Sequence, residues 1–335
     1  MNPRRIAYLS FTDRGAALAE RLRAALGGKA SCTRRIEDFS LSQWTAEAFG
    51  AYDALVFVGA VGIAVRAVAP YLRSKAQDPA VVAIDECGRF AVPVVSGHLG
   101  GANDLAREIS NICGAVAVIT TATDANGLFA VDEWAKRQNC AVTDPHGIKA
   151  VSAKILAGET VRVRSEWPVE GQCPEGVTLT DGPDWDVWVG VRRHEGGLCL
   201  APKTLALGVG CRRGTSREAL ETAFRELCAE QDIWPEAVCA AASIDLKAEE
   251  PGLVDFCAGH GWPLTCYSAE ELRGAEGTFT PSAFVERTTG VDNVCERSAV
   301  LAGGGPLLTG KHAGNGVTMA LAWRPFRLDW RWKNG

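Results

Sequence analysis

The sequence predicts an α/β protein: two α/β layered domains, N- and C-terminal, flanking a small α+β middle module. Three observations carry that expectation. Continuous apolar runs such as Ala54–Val58 recur with helix-periodic segments between them, the rhythm of strands covered by helices on both faces. Glycine-rich turns stand where strands hand over to helices: VGAVGIAVR from Val58, SGHLGGAND from Ser96 and GVGCRRGTS from Gly208. Near Asp144 the alternation gives way to a stretch rich in Gly, Pro and Trp. The expected domains are 1–143, 144–203 and 204–335.

The elements follow in order. Ile6–Phe11 predicts a strand and Ala16–Leu26 a helix, with Leu18, Leu22, Ala25 and Leu26 along one side. The strand Ala54–Val58 turns through Gly59 and Gly62 into a helix carrying Ile63, Val65, Val68 and Leu72. Ala80–Ile84 and Phe90–Val95 predict a hairpin around DECGR. SGHLGGAND then opens a helix with Leu105, Ile109 and Ile112 at helical spacing. A strand at Val116–Thr120 and a helix at Leu128–Arg137 close the first domain. The middle module is expected to hold one helix, Ile148–Leu156, and short strands at Val161–Ser165, Val177–Thr180, Val187–Val191 and Leu198–Ala201. The last domain begins with an apolar strand through Leu205–Val209 and a helix opening at Thr215, with Glu218 in capping-box spacing. Strands at Val238–Ile244 and Leu264–Tyr267 surround a helix at Gly252–Ala258, and SAEE at Ser268–Glu271 is another capping box. Helices at Ser282–Thr289 and Cys295–Ala302 precede a hairpin turning at HAGNG into Val317–Trp323. The tail PFRLDWRWKNG is expected to be frayed or packed on the surface rather than functional.

Bulk chemistry narrows the function. No run approaches the roughly 20 apolar residues that span a bilayer, and no signal-length apolar segment follows the N-terminal arginines, so a cytoplasmic protein is expected. The 12 cysteines form no CxxC pair and the 5 histidines stand at no metal-ligand spacing from them, so buried thiols are expected and no metal site. The net charge of −5 argues against nucleic acid and anionic membranes as partners. Positive charge is instead clustered, at Arg34–Arg35, Arg192–Arg193–His194 and Arg212–Arg213, which suits a small polyanionic ligand.

The glycine turns supply the candidate binding residues, because such turns bring backbone N–H groups close to an anion at a helix start. They are Gly59, Gly62 and Arg66; Gly97, Gly100, Gly101 and Asn103; and Gly208, Gly210, Cys211, Arg212, Arg213, Gly214, Thr215 and Ser216. In open α/β sheets such loops line a crevice at the carboxyl ends of strands. His98, between glycines, is the candidate general base, or else a residue that only organises its loop. Asn103 and Asp104 also read as helix-start caps. Glu296 is the second candidate catalytic group, or a carboxylate placed against a helix dipole. Cys211 reads as a thiol at a helix start or a small residue tolerated in a turn.

The blocks GAVGIAVRAVAPYLRSK, AIDECGRFAVPVVSGHLGGANDLA, ITTATD, GVGCRRGTS, IDLKAEEPGL, SAEEL and VCERSAVLAGG together resemble the CbiG family of anaerobic cobalamin biosynthesis, cobalt-precorrin-5A hydrolase, from about Ile6 to Trp323. The C-terminal region is also similar to CobE. The resemblance implies that water opens the δ-lactone of a cobalt-corrinoid and that acetaldehyde leaves, giving cobalt-precorrin-5B. It implies His98 as the group activating water, and Arg66, Arg212 and Arg213 as holders of substrate carboxylates. No cofactor is implied, since the cobalt is carried by the substrate. A homodimer, or transient contact with neighbouring pathway enzymes, stands beside that substrate as the partner expectation. Two alternatives remain open: a non-catalytic tetrapyrrole carrier of the same pathway, and an NADP-dependent oxidoreductase suggested by the glycine spacing of GVGCRRG.

Overall fold

The structure, a computed structural model, describes residues 4–74 and 77–332. Lys75, which ends the first glycine block, and residues 333–335 of the tail lie outside the described residues. The chain divides into two compact units, Met1–Glu133 and Trp134–Gly335.

In the first unit the elements are β1 (Ile6–Ser10), α1 (Asp13–Leu26), β2 (Lys29–Cys32), α2 (Leu41–Ala51), β3 (Ala54–Val58), α3 (Val61–Val68), β4 (Ala80–Ile84), β5 (Phe90–Val95), α4 (Ala102–Cys113), β6 (Val116–Ala117) and α5 (Ala122–Ala125). The sheet order is β2-β1-β3-β4-β5-β6. β1, β3 and β4 are buried throughout, as parallel strands between two helix layers must be. Alternate side chains divide between two cores. Ile6, Tyr8, Val56 and Val82 pack with Leu22 of α1 and Leu105 and Ile109 of α4. Ala7, Leu9, Leu55, Phe57 and Val81 pack with Ala48 of α2 and Ala64 and Val68 of α3.

The DECGR turn reverses the chain because the Asp85 carboxylate accepts the N–H groups of Cys87, Arg89 and Phe90, while Gly88 takes φ +70°. β5 therefore runs antiparallel to β4, with Val95 beside Val81 and Ala91 beside Ile84. Val58, which leads into Gly59, pairs with Ile84 at the other end. The first two glycine turns thus lie at opposite ends of the sheet, about 15 Å apart along the strands. This corrects the expectation that they share one crevice. The strand expected over Val116–Thr120 stops at Ala117: Val118 still donates to Ala91, but the next group of β5 facing it is Pro93, which has no N–H.

Helix α6 (Val131–Arg137) crosses into the second unit, which continues with β7 (Cys140–Val142), α7 (His146–Leu156), β8 (Val161–Ser165), β9 (Val169–Glu170), β10 (Val177–Leu179), β11 (Val187–Val189) and β12 (Leu198–Pro202). Its first sheet has the order β10-β8-β11-β12-β7. Four strands are parallel, and β7, which lies ahead of the expected boundary at 143, adds antiparallel to β12. Ile148, Val151 and Ile155 form the buried side of α7.

The chain then forms β13 (Leu205–Cys211), α8 (Arg217–Glu230), β14 (Val238–Ile244), α9 (Pro251–His260), β15 (Leu264–Tyr267), α10 (Ala269–Arg273), α11 (Ala283–Thr289), α12 (Cys295–Gly303), β16 (His312–Gly314), β17 (Val317–Trp323) and β18 (Leu328–Asp329). The sheet order is β15-β14-β13-β17-β16. Leu220, Phe224 and Leu227 of α8 and Leu253 and Phe256 of α9 pack on Leu205, Leu207 and Val209 of β13. The tail is bound over Leu328–Trp330. β18 pairs with β9, Trp330 stacks on Trp134 at 5.1 Å, and the Trp134 indole donates to the Asp329 carbonyl at 2.6 Å. Among the described residues no helix is long and apolar enough to cross a membrane, and no group of three His, Cys, Asp or Glu side chains is placed to hold a metal.

Candidate functional site

The turn after β5 is wound on itself. Gly101, at φ +85°, precedes α4, and the first N–H groups there are met by the loop's own carbonyls: Gly101 by His98, Ala102 by Ser96 and Asn103 by Gly97. A Cβ at Gly97 would lie 2.9 Å from the Asn103 Oδ1, and one at Gly100 2.3 Å from the Ser96 Cβ. These two glycines permit the loop's self-contact, so those backbone donors are not free to hold an anion. Ser96 carries the strain of this closure, at φ +57° and 8% exposed, with an Oγ that has no hydrogen-bond partner among the described residues. Glycine adopts that φ at no steric cost and carries no hydroxyl to orphan. Ser96→Gly is therefore expected to raise stability by roughly 1 kcal/mol, after its entropy cost in the unfolded chain. Slower amide exchange in α4 would show it; unchanged or faster exchange would contradict it.

The loop delivers His98 into a ring of carboxylates within the first unit. Nε2 meets Asp124 Oδ2 at 2.6 Å, and Nδ1 meets both oxygens of Asp132 at 3.1 and 3.2 Å. Asp124 also accepts from the Thr121 hydroxyl at 2.5 Å, the Asn103 amide at 3.1 Å and the Arg107 guanidinium at 2.7 Å. Burial alone would drive the proton off His98. The Asp132 and Asp124 carboxylates outweigh it, with Glu133 adding, and push the pKa up to about 9. Burial likewise opposes ionisation of Asp124, yet the donors from Thr121 and His98 and the charge of Arg107 hold its carboxyl below the usual range.

At neutral pH His98 is thus an imidazolium donating from both nitrogens. It has no lone pair for a water proton, which corrects its assignment as general base. Asn103 is not a helix cap but a donor to Thr121 and Asp124. Sequence reasoning missed Arg107, Thr121, Asp124 and Asp132 as site residues. The usable signal for Thr121 and Asp124 was ITTATD, a block without an assigned role.

The remaining candidates are placed as follows. In the first unit Gly59 lies against Phe11, where a Cβ would come within 2.8 Å of the ring, while Gly62 and Arg66 are exposed on α3. In the second unit Gly208 and Gly210 lie inside β13 rather than in a loop. A Cβ on Gly208 would fall 1.8 Å from the Cys295 carbonyl, so this glycine lets α12 rest on the strand. A Cβ on Gly210 would meet the Thr318 hydroxyl at 2.5 Å. The spacing suggestive of a dinucleotide turn is therefore a strand–helix contact, which removes the basis of the oxidoreductase alternative.

The helix start is also shifted. Ser216, not Thr215, caps α8 by accepting from Ala219 at 3.2 Å, and Thr215 donates to the Arg212 carbonyl at 2.8 Å. The Gly214 N–H is taken at 2.7 Å by the Glu250 carboxylate, itself held by Lys247 at 2.7 Å. The chain's own carboxylate thus fills the anion position foreseen for a ligand at Gly214. Lys247 and the Gly214 N–H keep Glu250 below the usual carboxyl range, against its burial. Arg212 and Arg213 stay exposed and make no salt bridge among the described residues. Cys211 is half-buried and its thiol is pushed up by that burial, the reverse of an activated nucleophile.

Glu296 is 2% exposed. Its carboxylate accepts from the Thr280 N–H and hydroxyl, the Asn293 amide and the Lys311 N–H, at 2.6 to 3.0 Å. It ties three segments together with its oxygens fully engaged, which corrects its assignment as a catalytic acid.

The chain matches a hydrolase family of cobalamin synthesis over all three of its regions. Residues 43–124 match the family description "Cobalamin synthesis G N-terminal", 129–196 "Cobalamin biosynthesis central region" and 205–322 "Cobalamin synthesis G C-terminus". A Salmonella typhimurium protein named cobalt-precorrin-5A hydrolase is 35% identical over 96% of this chain and 98% of its own length. A Priestia megaterium protein of the same name is 33% identical over 83% of this chain and 80% of its own. Protein CobE of Sinorhizobium sp is 29% identical over 39% of this chain and 86% of its own. The chain belongs to the CbiG family.

Proposed function

We propose that this protein opens the δ-lactone of cobalt-precorrin-5A with water and releases acetaldehyde, giving cobalt-precorrin-5B. The observation that carries the reading is the ordered match of all three family regions, together with relatives of that name aligned along nearly the whole chain. Water adds to the lactone carbonyl, the ring C–O bond breaks, and the freed oxygen takes a proton. Loss of that hydroxyl proton then cleaves the C–C bond; the electron pair enters the conjugated macrocycle, which is protonated in turn as acetaldehyde departs. The macrocycle serves as electron sink and brings its own cobalt, so the reading invokes no resident cofactor. With both ring nitrogens engaged by Asp132 and Asp124, His98 is suited to organise its loop and hold the two carboxylates at the site rather than to exchange a proton with water. Arg66, Arg212 and Arg213, exposed in their respective units, are the groups offered to peripheral carboxylates. The reaction is placed in the cytoplasm.

Anaerobic incubation of the purified protein with cobalt-precorrin-5A, with acetaldehyde trapped as a hydrazone, tests this. Aldehyde at the stoichiometry of product supports the reading; corrinoid binding without aldehyde would leave the carrier alternative in its place. Neutralising Arg212 and Arg213 together is expected to raise KM at least tenfold with little change in kcat, since each charge-assisted contact contributes about 1.5–3 kcal/mol. An unchanged KM would remove those arginines from the site.

A further inference from the structure

We propose that Asp124 is the positioning residue of this site, holding the His98 ring by Nε2 so that its other nitrogen stays on Asp132. The inference rests on the hydrolase reading for its consequence in catalysis, but its basis is geometric. The two oxygens of Asp124 gather four side-chain donors, from the β5–α4 loop (His98), from α4 (Asn103 and Arg107) and from the residue ahead of α5 (Thr121). A carboxylate so held cannot swing, and the short contact to Nε2 fixes the ring plane. Asp132 makes the longer, two-oxygen contact on the opposite edge of the same ring.

The two segments joined here, SGHLGGAND and ITTATD, are separate in the chain and meet through the Asp124 side chain and the Asn103–Thr121 hydrogen bond. The charged groups facing the imidazole are Asp124 of α5, Asp132 and Glu133 from α6, and, through Asp124, Arg107 of α4 with its partner Asp104. Removing one of the two anions that touch the ring must loosen its proton, and Asp124 makes the shorter contact. A residue that merely braced the fold would change stability without changing where His98 titrates.

The test uses the full-length protein and its Asp124→Asn and Asp124→Glu variants. Imidazole titration is followed by NMR on histidine-labelled protein, with the His98 signals assigned from their loss in His98→Gln. In the parent the ring is expected to titrate near 9. In Asp124→Asn the midpoint should fall by at least one pH unit, and in Asp124→Glu it should return most of the way. In lactone opening, Asp124→Asn should lower kcat about tenfold or more with KM within twofold, and move the alkaline limb of kcat down by the same interval as the ring. An unmoved His98 midpoint in a folded Asp124→Asn variant would overturn the proposal whatever the activity. Thermal unfolding supplies the fold control, and if the asparagine variant fails it, the glutamate variant carries the test: a parent-like midpoint supports the role, and a fall as large as that expected for asparagine overturns it. The ring titration needs no substrate, so a parent protein that titrates as expected but releases no acetaldehyde would refute the hydrolase reading separately.

Discussion

Gly208→Ala is expected to cost the second unit about 3 kcal/mol or more. The added methyl would sit 1.8 Å from the Cys295 carbonyl and 2.6 Å from the Ala299 nitrogen, and both obstacles are backbone of α12. Neither can rotate away as a side-chain end would. The strand is equally fixed, because β13 is paired on both sides, with β14 and with β17 along its whole length. Relief therefore requires the whole helix to lift, which uncovers Ala299 and the Ser298 hydroxyl that donates to Ala242. An ordinary core overfill costs about 1–3 kcal/mol because side chains share the strain; here they cannot. Every tryptophan but Trp44 lies in the second unit, so urea unfolding followed by tryptophan emission reads this unit selectively. Unfolding of the variant within 1 kcal/mol of the parent would refute the packing role. If Gly208 instead served only to approach a ligand, the variant would keep its midpoint and lose affinity.

The parallel strands were the most legible part of the chain, for a simple reason. Strands buried on both faces must be apolar at every position, so Ala54–Val58 and Ala80–Ile84 announce their limits to the residue. Val161–Ser165 was also expected with the bounds it has. Cys140–Val142 escaped notice because three residues on a sheet edge carry no period. The glycine turns were visible but misread. A glycine that admits a ligand and one that admits the chain's own backbone have the same sequence, and Gly208 and Gly100 are of the second kind. His98 was legible as a titratable group among glycines. Its partners were not, because Asp124 and Asp132 stand at helix starts, where aspartate is the ordinary residue for capping. Only the fold shows that they point at one imidazole, and that fact turns a candidate base into a group held on both sides.

That arrangement has a measurable consequence in His98→Ala. The substitution removes the cation between two carboxylates whose side chains are 19% and 6% exposed, and leaves them facing each other across a cavity. A loss of roughly 3 kcal/mol is expected at pH 6.5, the order given by lifting a histidine from 6.5 to about 9. The dependence on pH identifies the cause. The folded-state pKa is raised, so the stabilisation is complete below the unfolded value near 6.5 and drains away as pH climbs through about 9. Asp124 sets the opposite boundary. Its folded pKa is depressed, so its contribution stands above the unfolded carboxyl value and fades as pH falls below it. The parent should therefore exceed the variant most between about pH 4 and 6.5, with the gap closing on the alkaline side. Amide exchange of α4 and the Ser96–Gly101 loop measures it locally, since the second unit's unfolding would mask a global signal. A gap of constant size from pH 6 to 10 would mean that His98 contributes shape rather than charge to this cluster.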